Sequence, residues 1–158
     1  MTDLEKVQAY GYTLDYVKEQ TLKICLAAVQ QDGYALEYVK NQTYEICLAA
    51  VKQNGYALRY VKEQTPELCL MAVQQNGYAL EYVKEQTSEI CLAAVKQYGK
   101  AIDYVENQTP EICFEAVRQA GPGIEVFYVQ ERFKFIFKEE FKGMTLDEIK
   151  HKVPEMFL

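Results

Sequence analysis

The chain has 158 residues, of which 49% are hydrophobic and 25% charged, and its net charge is −6. That balance suits an ordinary globular body long enough for a continuous core, and the acidic surplus argues against nucleic acid and anionic membrane surfaces, both of which need clustered Lys and Arg. No apolar run approaches the length of a membrane span, and Met1-Thr2-Asp3-Leu4-Glu5-Lys6 lacks the basic and apolar regions of a signal peptide. The expectation is a cytoplasmic protein, or one exported without an N-terminal signature.

A period of 22 residues organises the sequence. Gly recurs at 11, 33, 55, 77, 99 and 121, Cys at 25, 47, 69, 91 and 113, and Gln-Thr at 20–21, 42–43, 64–65, 86–87 and 108–109. A fixed period of this length is the mark of a stacked repeat array. Residues 1–21 form a degenerate first unit, in which Asp3, Glu5 and Lys6 stand where later units carry Cys and Ala. A polar first helix suits an end with one face in water. Four full units follow over 22–109, and a fifth begins at Pro110 and reaches Gly121.

Each unit reads as two short helices. In the unit opened by Thr65, the Thr is an N-cap, Pro66 occupies the first helical position, and Glu67 places an acid at the positive end of the helix dipole. The first helix runs to Asn76, and Gly77 is expected to end it in the left-handed region, as are Gly33, Gly55 and Gly99 in their units. The second helix covers Tyr78 to Lys84, with Ala79, Leu80 and Val83 facing inward and Tyr78 and Glu81 outward. Helices this short do not persist alone, and the first is apolar nearly all round, so each must be held between neighbours. The fold class is therefore all-α: an α-solenoid of 22-residue helical hairpins over 1–121, with a capping segment over 122–158.

Gly121-Pro122-Gly123 breaks the rhythm. The stretch from Ile124 to Lys142 fits both a helical stripe and a strand-like alternation; helix is preferred because β-structure would be foreign to the array. Thr145-Leu146-Asp147-Glu148 is a capping box, so a helix should run to Val153 and stop before Pro154. Phe133, Phe137 and Phe141, with the apolar tail Met156-Phe157-Leu158, are expected to cover the open end of the last repeat.

The string ICLAAVKQNGYALRYVKEQTPE, residues 46–67, carries the order Cys-Leu-x-Ala-Val-x-Gln-x-Gly-x-Ala-Leu-x-Tyr-Val that recurs through the array. It resembles the repeats of the domain-of-unknown-function 4116 family over about residues 4–121. The resemblance implies a tandem helical module and brings no catalytic residue, cofactor or partner with it. Lys100 departs from the pattern, standing where inner units have Tyr.

No catalytic constellation, metal site or cofactor site emerges. His151 lies beside Lys150 and Lys152 and reads as a solvated residue near a helix end, and Ser88 takes a first helical position. The five cysteines, Cys47, Cys69 and Cys91 among them, sit at one repeat position on helices about 8–10 Å apart, too far for disulfides or a shared zinc, and read as small buried hydrophobes. The glutamines Gln20, Gln42, Gln64, Gln86 and Gln108 read as partners for free backbone groups at the turns. Thirteen tyrosines and no tryptophan single out an aromatic surface. Tyr38 and its equivalents never change in this chain and suit packing. Tyr12, Tyr34, Tyr56 and Tyr78 are expected to form an exposed row, beside a second row of Asp15, Glu37, Arg59, Glu81 and Asp103.

These rows suit a protein partner with a basic, extended or helical segment. A non-enzymatic protein-interaction scaffold is the leading expectation. An effector, immunity or regulatory factor that uses the repeats for target recognition is the second, and an enzyme with a site in 122–158 the third. The oligomeric state is left open by the sequence.

Overall fold

A computed structural model describes residues 1–120, 143–152 and 154. Six α-helices alternate with five 3-10 helices along the array: α1 (Asp3–Ala9), η1 (Gly11–Tyr16), α2 (Leu22–Gln31), η2 (Gly33–Tyr38), α3 (Tyr44–Gln53), η3 (Gly55–Tyr60), α4 (Pro66–Gln75), η4 (Gly77–Tyr82), α5 (Ser88–Gln97), η5 (Gly99–Tyr104) and α6 (Pro110–Ala120). A further helix, α7 (Leu146–Lys152), follows. Successive α-helices pack side by side and so do successive 3-10 helices, while α2 to α5 each touch the 3-10 helix of their own unit and that of the unit before. The result is a two-layered helical solenoid, with an α layer and an η layer.

The α-helices start as the sequence dictates. The Ile46, Leu68, Ile90 and Ile112 amides donate to the hydroxyls of Thr43, Thr65, Thr87 and Thr109, and Pro66 opens α4 where its missing N–H leaves no gap. The inner face repeats unit by unit: Ile46, Cys47, Ala50 and Val51 in α3 are buried, as are Ile90, Cys91, Ala94 and Val95 in α5. The small Ala and Cys side chains let neighbouring backbones approach. At the N-terminal end, α1 buries only Val7, and Thr2 and Glu5 close a reciprocal capping box. That is the polar terminal face the first unit was expected to present.

Two expectations are corrected. The second element of each unit is a 3-10 helix rather than an α-helix, and it begins at the glycine. Its internal bonds run i to i+3, with the Ala35 amide donating to Asp32 O and Val39 to Leu36 O. Six residues are fewer than two α-turns, so the tighter helix closes more bonds over the same span. In a 3-10 helix side chains three apart eclipse one another. Leu36 and Val39 thus share the buried face, while Tyr34 and Glu37 stand together on the outside.

The glycines Gly33, Gly55, Gly77 and Gly99 are not left-handed helix ends; among the described residues only Gly143 has positive φ, at 81°. The α-helices end instead at an extended residue, Asn54 for α3 and Asn76 for α4, whose side chain caps the following 3-10 helix by accepting from the amide two residues on. Glycine is required for a different reason. A Cβ on Gly77 would sit 2.5 Å from the carbonyl oxygen of Ala94 in the next unit, and one on Gly55 would sit 2.7 Å from that of Ala72. The glycine marks the closest approach between units.

At the other end, Thr145 and Glu148 form the expected capping box at the start of α7, Ile149 is fully buried within the common core, and Met144 packs against it. The expectations for Ile124 to Lys142, for Phe133, Phe137 and Phe141, and for Met156 to Leu158 fall outside the described residues.

Candidate functional site

The η layer is held by two ladders of glutamine. In the first, Gln42 donates through Nε2 to Leu36 O of its own unit at 3.4 Å and to Tyr60 O of the next at 2.9 Å. Its Oε1 accepts from the Lys62 amide at 3.0 Å and lies 3.7 Å from the Cys47 sulfur. Gln20 and Gln64 repeat all four contacts. Each amide thus meets its full donor and acceptor capacity across a unit boundary, which is the backbone role read from the turns.

The second ladder escaped the sequence reading. Gln31, Gln53 and Gln119 accept from the amides of Gly11, Gly33 and Gly99 at 2.7, 2.7 and 2.6 Å, and Gln75 accepts from Gly55. Its signal was present, since Gln also recurs every 22 residues near the end of the α-helix, at 31, 53, 75, 97 and 119. Gly11, Gly33 and Gly55, which leave no room for a Cβ, each donate their N–H to the neighbouring unit.

These clasps fix the outer face of the η layer. Tyr12 and Tyr34 are exposed, Tyr56 and Tyr78 half-buried, and Glu37, Arg59 and Glu81 exposed. The tyrosines do not stand as one isolated row. Tyr34 meets Tyr60 of the next unit edge to face, with ring centres 6.1 Å apart; Tyr56 meets Tyr82 at 6.0 Å and Tyr78 meets Tyr104 at 6.2 Å. Such pairs add to the stability of the unit boundary while leaving ring area toward solvent. Tyr60, Tyr82 and Tyr104, read from sequence as packing residues, do pack against the core, and their half-exposed rings also join the aromatic surface. Tyr98 stands where Asp32, Asn54 and Asn76 cap the three preceding 3-10 helices, and sits against Tyr78 at 4.7 Å.

The charges bear on the rings. Burial, then the Glu37 carboxylate, hold the Tyr60 phenol above its ordinary range, against an opposing pull from Arg59. Burial, then Glu81, do the same to Tyr82, and burial followed by Glu81 and Asp103 to Tyr104. The guanidinium of Arg59 lies 5.1 Å from the Tyr60 ring centre and 5.4 Å from that of Tyr82. Beside this face, the ammonium of Lys62 donates to Lys40 O at 3.2 Å and that of Lys84 to Lys62 O at 2.9 Å, so each binds the backbone of the preceding unit.

All five cysteines are buried thiols, none of them in a disulfide. Desolvation raises the thiols of Cys25, Cys47 and Cys69, and raises that of Cys91 from 9.0 to about 11. Such thiols are poor nucleophiles. Among the described residues no group of three His, Cys, Asp or Glu could hold a metal ion, and no helix is long and apolar enough to cross a membrane. His151 is exposed. Shallow grooves run between successive α-helices, one of them lined by Leu26, Leu48, Ala49, Lys52 and Gln53.

Fold and surface together define a helical repeat protein with a glutamine-clasped second layer. The pattern of a family described as "Domain of unknown function (DUF4116)" matches residues 21–65, 43–88 and 65–109. The chain belongs to this family. The three matches start at Thr21, Thr43 and Thr65, each the N-cap of an α-helix, so one match spans two units and successive matches advance by one. No curated protein and no solved structure matches the chain.

Proposed function

We propose that this protein is a non-enzymatic interaction scaffold whose η face takes a basic, extended segment of a protein partner. One observation carries the reading: half-exposed tyrosine pairs, repeated from unit to unit and flanked by Glu37, Glu81 and Asp103. Tyrosine supplies contact area at low entropy cost, and the carboxylates of Glu37, Glu81 and Asp103 beside the rings offer partners to cationic side chains. Solenoids as a class offer extended surfaces of this kind, which is support by analogy of fold.

The test uses three peptide pools of equal length, with positive, neutral and negative net charge, and reads binding by fluorescence anisotropy at low and high salt. Binding confined to the positive pool and weakened by salt is expected. The double variant Tyr34→Ala/Tyr56→Ala should lose about tenfold or more in affinity, as removal of hot-spot residues does, while keeping its helical circular dichroism. Equal binding of all three pools, or a double variant that binds normally, would overturn the proposal. A pull-down from the native cell with wild type and double variant side by side would then name the partner.

A further inference from the structure

The middle unit departs from the acidic row. Arg59 stands where the units on either side carry Glu37 and Glu81. Its guanidinium lies over the rings of Tyr60 and Tyr82, tyrosines of two successive units. In the next interval the residue at the same position is Glu81, and its charge bears on both Tyr82 and Tyr104, just as that of Arg59 bears on Tyr60 and Tyr82. One unit earlier, Glu37 bears on Tyr60. By the 22-residue repeat these intervals set a carboxylate where Arg59 stands, Glu37 beside Tyr60 and Glu81 beside Tyr82 and Tyr104, and the Tyr60 and Tyr82 hydroxyls donate to Glu37 and Glu81.

We propose that the intervals Tyr38–Tyr60 and Tyr82–Tyr104 are seats for arginine side chains of a bound peptide, each guanidinium lying over tyrosine rings beside Glu37 or Glu81, and that Arg59 fills the middle seat from within the chain. This rests on the basic-partner reading and narrows it to guanidinium. A guanidinium is flat, weakly hydrated and able to stack on a ring while its N–H groups meet a carboxylate; an ammonium is compact and strongly hydrated. Seats on neighbouring units are separated by about 8–10 Å, the packing distance of helices. An extended peptide covers about 10 Å in three residues, so arginines at every third position match the row.

The experiment compares two fluorescent peptides of about twelve residues with Arg, or Lys, at every third position and Gly and Ser between, long enough to cross three or four units at about 3.3 Å per residue. Both are titrated into wild type, into Arg59→Gln, and into Lys23→Gln. Each substitution takes the net charge from −6 to −7, but only the first vacates a ring seat; Lys23 is exposed on α2, in the other layer. The arginine peptide should bind wild type about fivefold or more tighter than the lysine peptide. Arg59→Gln should gain about threefold to tenfold for the arginine peptide, and Lys23→Gln much less. Equal affinity for the two peptides, or equal gains in the two variants, would overturn the ring seats and leave only a charged surface. Failure of both peptides to bind any of the three chains would overturn the seats and the basic-partner reading together.

Discussion

The α layer and the η layer are built from the same 22-residue unit, yet different forces shape them. The α-helices are ten residues long in the inner units, capped by their own threonines, and hold together through interdigitated Ile, Leu, Val, Ala and Cys. The 3-10 helices are six residues long, and much of what holds them comes from outside: a glutamine from the next unit binds the first N–H, and Gln side chains bind the carbonyls at the last turn. An apolar helix face specifies its neighbour loosely, because close-packed side chains tolerate related shapes. A carbonyl bound at 2.9 Å, or a glycine with no room for a methyl group, tolerates very little. Tyr12, Tyr34 and the half-exposed Tyr60, Tyr82 and Tyr104 stand on the more tightly specified layer.

Gly77→Ala should break this contrast most severely. The added Cβ meets a backbone carbonyl, which cannot rotate away as a side chain would. The loss should be about 3 kcal/mol or more by urea unfolding, beyond the ordinary cost of a helix-end substitution. A loss near 1 kcal/mol would mean that the units slide apart easily.

Next in size is Gln64→Leu, which takes the side-chain partner from Tyr82 O and the Lys84 amide, while Leu58 O keeps the Val61 N–H. It should cost about 2 kcal/mol, as polar groups stranded at a part-buried junction do. Ile90→Val, a change confined to the α layer, should cost about 1 kcal/mol. Equal losses in the two variants would remove the distinction between the layers.

How far the sequence carried is visible in these same residues. Helix starts at Thr43, Thr65 and Thr87, the buried cysteines and the outward Tyr34 and Glu37 were all legible, because each follows from local chemistry or from which positions are apolar. The role of Gly77 was not, since a glycine after a helix looks the same whether it supplies positive φ or close approach. The 3-10 geometry was hidden because i+3 and i+4 spacing give the same inward face over six residues. The aromatic surface was half legible. Tyr34 was placed correctly, but its contact with Tyr60 lies 26 positions along the chain, and only packing brings the two together.

The cysteine row gives the smallest effect. Cys69 lies 3.5 Å from Gln64 Oε1, so a serine hydroxyl at that position inherits an acceptor. Cys69→Ser should cost about 1 kcal/mol or less by urea melt; a larger loss would mean the acceptor cannot be reached by the shorter C–O bond. The thiols also predict a response to alkali. Their folded pKa values are raised, so their contribution to stability is complete below the ordinary value of 9.0 and fades as pH climbs through the folded values, about 11 for Cys91. The urea midpoint should hold steady to about pH 9 and then fall, less steeply in Cys91→Ala. At neutral pH all five thiols should react slowly with a thiol reagent, and rapid labelling of several would contradict their burial.

The reach of the clasps has one more consequence. The side-chain bonds from one unit to the next join residues 18 to 23 positions apart, whichever unit is considered. The bonds along the inner array therefore register a neighbour, not a total. A gene that gained or lost one 22-residue copy between, say, Thr43 and Thr65 would encode a chain whose every junction is still complete, longer or shorter by one step. Copy number is a free variable for this architecture. If the tyrosine face does hold an extended peptide, the length of peptide it measures can be reset by recombination alone, with no new contact to invent.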